Sequence, residues 1–121
     1  MPGNDQSKSE ATMAMADLQW DRSFALEQTT GDEELLEELL TLFRDASAQD
    51  YSQLQQAVAD NDAAAAVRAA HSLKGAAASL GIEGIRQLAA EMEQDGLRKS
   101  VAVAREKLTA MGEMLAQLKH L

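Results

Sequence analysis

The feature that most constrains this chain is an apolar repeat, at spacings of three and four residues, that recurs from residue 36 to residue 118. This spacing is typical of amphipathic helices. The single proline is Pro2, so no proline interrupts the repeat. Alanine and leucine, both strong helix formers, supply 39 of the 121 residues, and β-branched residues are scarce. The sequence therefore predicts an all-α fold.

The repeat is divided by turn signals into segments. We expect residues 1–16 to be a flexible tail and residues 17–121 to form the folded domain. A short helix is predicted near 21–28. Thr30 followed by Glu33 fits a capping box and predicts that the first long helix starts there and runs to about Ala59.

Three further helices are predicted after residue 59. The Asp60–Asp62 turn offers caps for a helix over about 63–80, which Gly81 would end. The next helix is expected over 82–94 with Gly96 closing it, and Ser100 is a candidate cap for the last one. Short connections predict an antiparallel up-and-down four-helix bundle with a short additional N-terminal helix.

The charge and composition exclude several classes of partner. Twenty acidic residues against eleven basic ones give a net charge of −9, so a nucleic acid would be repelled. No apolar run approaches the roughly 20 residues of a membrane span, and the N-terminus lacks the pattern of a secretory signal. The absence of cysteine excludes disulfides and thiolate metal sites. We expect a cytoplasmic protein that does not bind a membrane.

The helix predicted over 63–80 has an unusual polar face. A helical wheel places an apolar set on one side, and Val67, Arg68, His71, Lys74, Gly75 and Ala78 on the other. His71 is thus predicted to point away from the core, with Lys74 one turn further on. Gly75 costs roughly 1 kcal/mol relative to alanine inside a helix. The simplest reason for a glycine here is that another protein must approach His71 closely.

The residues around His71 exclude several kinds of chemistry. Zinc needs three or four ligands, and the only other histidine is His120, so no metal site is predicted. Neither a serine-type triad nor a glycine-rich phosphate loop is present. A neutral imidazole is nevertheless a good nucleophile, and a cation at i+3 could offset the charge of a phosphoryl group.

The segment AHSLKGAAASLG at 70–81 resembles the motif of histidine phosphotransfer (HPt) domains, which reads H-x-L-K-G, then small residues, then leucine-glycine. The resemblance extends from about Trp20, through the turn at 30–32, to the C-terminus. It implies that His71 is the phosphoacceptor through Nε2, that Lys74 orients or screens the phosphoryl group, and that Gly75 gives the partner clearance. The family also tends to place a glutamate or glutamine near the histidine on the following helix, and Glu93 matches that place. On the wheel Glu93 lies at the border of the core face, so it could support His71 or be a solvated charge.

The resemblance also implies partners. These would be response-regulator receiver domains and a hybrid sensor histidine kinase, docking on the exposed face of the His71 helix and part of the next helix. Val67, Arg68, Ala78 and Glu93 are the candidate contact residues. The receiver would bring an acidic pocket and Mg²⁺, so this chain is expected to bind no cofactor and to act as a monomeric phosphocarrier. Two alternatives stay open: the phosphoacceptor domain of a chemotaxis-type histidine kinase, and a non-catalytic helical interaction module.

Overall fold

The computed structural model describes residues 17–121, and the predicted tail at 1–16 lies outside this range. Within it the chain forms five α-helices and a terminal 3₁₀ turn, and a single isolated bridge between Trp20 and Ile82 is the only β pairing. The helices are α1 (Arg22–Gln28), α2 (Glu33–Ala59), α3 (Ala63–Ser79), α4 (Glu83–Leu97) and α5 (Ala102–Gln117), and the 3₁₀ turn is Leu118–His120.

The four long helices close into a bundle. Helix α3 packs against α2 and α4, and α5 packs against α4 and α2. Connections of three or four residues make sequential helices antiparallel, as predicted. Helix α2 has 27 residues and is about 40 Å long, while α3 has 17. The additional length of α2 is covered by α1 and by the 3₁₀ turn, which both contact it.

The core is formed by the apolar repeat. The largest side chains that are fully buried come from all four long helices and from the two connecting segments beside α1 and α4: Thr29, Leu36, Ser47, Leu54, Leu73, Ile82, Ile85, Met92 and Met111. Alanines fill the core positions of α3, which lets its neighbours pack closely against its backbone. None of the helices in residues 17–121 has the length and apolar character needed to cross a membrane.

The predicted start of the first long helix is wrong by two residues. Thr30 has φ of 53°, which places it in the left-handed region of a turn rather than at a helix cap. Asp32 is the N-cap instead, and its side chain accepts a hydrogen bond from Leu35 N. For α3 the prediction is confirmed, because Asp62 accepts from Ala65 N.

The helix ends follow two different rules. Gly81 has φ of 69° and follows the last turn of α3, as predicted. Gly96 does not end α4, which continues to Leu97, and the left-handed residue is Lys99 with φ of 67°. Gly96 is required by packing instead, since an added Cβ would lie 2.6 Å from Val67 Cγ2.

Helix α4 begins without a side-chain cap. Its first amides are satisfied from outside the bundle by residues 18–21, which we call the strap. Gly84 N donates to Leu18 O at 2.7 Å, and Glu83 N donates to Gln19 O at 3.4 Å. These carbonyls therefore perform the function that a serine or aspartate side chain has at other helix starts.

The strap is also fixed to the end of α3. Trp20 Nε1 donates to Leu80 O at 2.9 Å, and Asp21 N donates to Gly81 O at the same distance. Asp21 then caps α1 by accepting from Phe24 N. The strap thus joins the α3–α4 turn to α1.

Candidate functional site

Helix α3 has the two faces that the wheel predicts. Ala66, Ala70, Leu73 and Ala77 are at most 1% exposed and face the core. On the opposite face the side chain of His71 is 68% exposed. The imidazole is therefore held on a rigid helix and is open to a partner.

The inner edge of the His71 ring is bonded to α4. His71 Nδ1 lies 2.7 Å from Glu93 Oε2. An ionised carboxylate can only accept a hydrogen bond, so we place the proton of the neutral imidazole on Nδ1. The lone pair then lies on Nε2, which faces away from the carboxylate. This is the tautomer that a nucleophilic Nε2 requires.

Glu93 is a buried carboxylate whose negative charge is balanced by Lys74. Its side chain is 10% exposed, and Lys74 Nζ lies 2.5 Å from Oε1. The hydrogen bond from Lys74 is the largest influence on the pKa of Glu93; burial opposes it, and the bond from His71 reinforces it. The net effect lowers the pKa of Glu93, so the carboxylate is ionised at neutral pH.

Close packing of α3 and α4 positions Glu93. Gly96 lies one turn after Glu93, and its missing side chain accommodates Val67 and the carbonyl of Ala63. Ala70 and Ala89 are fully buried. Small residues along this contact allow the short reach from the α4 backbone to the ring on α3.

Gly75 lies at an open position of the exposed face. A Cβ added there would meet nothing within 4 Å. Packing within the described chain therefore does not require a glycine at this point of α3, although the glycine weakens the helix. Ala78, one turn further, is also exposed.

The other candidate residues lie outside the bonded trio of His71, Lys74 and Glu93. Val67 is half-buried against Gly96, and Arg68 is exposed one turn before His71. No carboxylate within residues 17–121 pairs with Arg68. The structure thus brings three of the sequence-predicted residues together and places the others along the same face of α3.

One polar contact beside the site was missed by the sequence analysis. Ser72 Oγ donates to Asp50 Oδ2 at 2.7 Å and joins α3 to α2. The only sequence signal was an aspartate next to Tyr51 in the buried repeat of α2. No group of three side chains suited to a metal ion occurs in the described range.

An apolar groove continues the exposed face beyond Gly75, between α2 and the end of α3. Its volume is about 350 Å³. Leu42 at its edge is 63% exposed. The lining residues are Gln28, Leu39, Leu42, Phe43, Ala46, Ala76, Ser79 and Leu80.

Comparisons with known proteins gave a match to a family model and a match to a solved structure. The family model of the Hpt domain matches residues 38–121. Among solved structures, the chain is similar to the HPT domain of an Hpt sensor hybrid histidine kinase from Shewanella, with a TM-score of 0.72 and 24% identity. The alignment covers 86% of this chain and 94% of that domain, and it shows a shared fold. No curated protein matches the chain.

Proposed function

Because this chain belongs to the Hpt domain family, we propose that it is a phosphocarrier. In this proposal His71 accepts a phosphoryl group from an aspartyl phosphate of one receiver domain and passes it to another receiver. The observation that carries the proposal is the exposed imidazole of His71, whose Nδ1 is bonded to a buried, ionised Glu93.

The proposed transfer step uses this arrangement of His71 and Glu93. Nε2 attacks the phosphorus, the P–Nε2 bond forms, and the P–O bond to the aspartate breaks so that the carboxylate leaves. The proton stays on Nδ1, and the ring gains positive charge as the bond forms. Glu93 lies against Nδ1 and stabilises that charge, as the aspartate of a catalytic triad does for its histidine. Transfer to the next receiver reverses these events.

The partner supplies the remaining chemistry. We expect the receiver to bring the acidic pocket, the leaving aspartate and Mg²⁺, which neutralises charge on the phosphoryl oxygens. This chain contributes the nucleophile and its orientation. Proximity and electrostatics then account for most of the rate.

We expect the receiver to dock over the exposed face of α3. Gly75 and Ala78 leave room for its surface near His71, and the apolar groove between α2 and α3 extends this area. A cation at Arg68, on a chain of net charge −9, sets the orientation of an acidic pocket. Val67 borders the face on the α4 side.

The test is direct. The protein is incubated with a ³²P-labelled receiver, and the label on it is tested for acid lability and alkali stability, which distinguish phosphohistidine from phosphoserine. His71→Gln should abolish labelling. His120→Gln is the matched control, since it removes the other histidine from the exposed end of the chain. Label that persists in His71→Gln contradicts the proposal, and label acquired only from ATP and a kinase domain favours the chemotaxis-type alternative.

A further inference from the structure

Two cations flank His71 on α3, and their surroundings differ. Lys74 is engaged with the carboxylate of Glu93, whereas Arg68 is exposed and is bonded to nothing in the described range. Provided that His71 carries the phosphoryl group as proposed above, we propose that these cations have separate tasks. Lys74 acts on His71 only through Glu93, and Arg68 is the cation that contacts the phosphoryl group.

Lys74 is held in place by Glu93 Oε1. This atom is buried, and within residues 17–121 the ammonium of Lys74 is the one polar group that pairs with it. If Lys74 turned outward to the phosphoryl group, Oε1 would be left charged, buried and without a partner. That arrangement is much more costly than an exposed phosphoryl group hydrated by water. Lys74 is therefore a positioning residue that keeps Glu93 ionised and in place.

Arg68 lies one turn before His71 and is available to a ligand. Residues three apart on a helix are neighbours, with Cβ atoms about 5–6 Å apart. A guanidinium group matches the oxygens of a phosphoryl group with two parallel hydrogen bonds. Arg68 can make these bonds without giving up another partner.

In the transfer step this division requires no additional reactant. The P–Nε2 bond forms and the P–O bond to the receiver aspartate breaks, while Nδ1–H stays bonded to Glu93. Arg68 donates two N–H groups to the phosphoryl oxygens and loses no proton. The Lys74–Glu93 ion pair is the same before and after transfer.

The first experiment measures the His71 tautomer in the absence of any receiver, by ¹⁵N NMR of the ring nitrogens at neutral pH. Lys74→Gln and Glu93→Gln should both shift the population from Nδ1–H toward Nε2–H, and Arg68→Gln should leave it unchanged. An unchanged tautomer in Lys74→Gln overturns the role of Lys74. This readout does not depend on phosphotransfer, so failure of the proposed function would not produce the same result.

The second experiment measures the rate of transfer from a phosphorylated receiver in a double-mutant cycle. Lys74→Gln should slow transfer about tenfold in the parent protein, as expected for one charge-assisted contact, and less than about twofold in the Glu93→Gln background. Arg68→Gln should slow transfer about tenfold in both backgrounds. Lys107→Gln is the control for net charge, because it removes one cation from α5.

The two possible contradictions are distinct. If Lys74→Gln slows Glu93→Gln as much as it slows the parent, Lys74 contacts the phosphoryl group directly. If Arg68→Gln transfers no more slowly than Lys107→Gln, Arg68 does not contact it. Absence of any transfer to the parent protein would instead contradict the proposed function, and the tautomer measurement would still test Lys74.

Discussion

Replacement of Gly75 is expected to change stability and function in opposite directions. Gly75 lies inside α3, and an added Cβ would meet no atom within 4 Å. Gly75→Ala should therefore gain the full difference in helix propensity, about 1 kcal/mol, with no offsetting clash. For a domain of this size that corresponds to a rise in Tm of roughly 4 °C, measured by circular dichroism.

The functional effect follows from the space outside the chain. A side chain at Gly75 occupies the approach to His71, so Gly75→Ala should slow transfer from a phosphorylated receiver, and Gly75→Gln should slow it much more. Phosphorylation of His71 by phosphoramidate, a small donor, should be nearly unaffected by either change. A variant that is more stable but accepts the phosphoryl group more slowly would show that glycine is needed for the approach of the partner and not for folding.

Gly96→Ala is the matched control in the same helix pair. There an added Cβ would lie 2.6 Å from Val67 Cγ2 and 3.3 Å from Ala63 O. The substitution should cost roughly 1–3 kcal/mol through overpacking. A requirement for glycine imposed by the partner would be refuted if Gly75→Ala lowered Tm as Gly96→Ala does, or if Gly75→Gln transferred at the parent rate.

Three further outcomes are expected. In thermal denaturation, Asp32→Ala should cost about 1 kcal/mol as a lost N-cap, while Thr30→Ala should cost little; equal losses would contradict the assignment of the cap. Gly84→Ala should lower Tm because its Cβ would overlap the carbonyl groups of Asp17 and Leu18, where the strap begins, and an unchanged Tm would mean that the strap does not hold α4. Because the pKa of Glu93 is lowered, the folded state binds fewer protons in the acid range than the unfolded state. The stabilisation that results is present above the unfolded pKa, about 4.3, and is lost as the pH falls through the lower pKa of Glu93 in the folded state. Denaturant titrations across the acid range should show this loss, and Lys74→Gln should reduce it; an identical acid dependence in the two proteins would contradict the linkage.

The sequence predicted the scaffold well because periodicity reports directly on burial. The core face of α3, the Asp62 cap and the stop at Gly81 all follow from residues that act within one helix. Thr30 was misplaced because Asp32, two residues later, is an equally good N-cap residue, and only the backbone geometry shows which of the two has this role.

What could not be predicted depends on contacts between segments. The helical wheel of α4 places Glu93 at the border of the core face. A wheel of one helix cannot show that the neighbouring helix α3 presents His71 and Lys74 at that point. Gly96 has the composition of a terminator but lies inside α4, because Val67 needs the space. The capping of α4 by Leu18 and Gln19 has no sequence signal at all, as every residue has a carbonyl group.

The strap has a practical consequence for how this unit can be excised. The family match begins at residue 38, inside α2, whereas the carbonyls that satisfy the first amides of α4 lie twenty residues earlier. A fragment cut at the matched boundary would lose the strap, α1 and the first turn of α2. It would lack the buried Leu36, and Ile82 would lose its bridge to Trp20. The smallest piece that keeps Glu93 on a well-anchored helix therefore begins by residue 17, and a domain boundary drawn from family similarity alone would remove part of the fold.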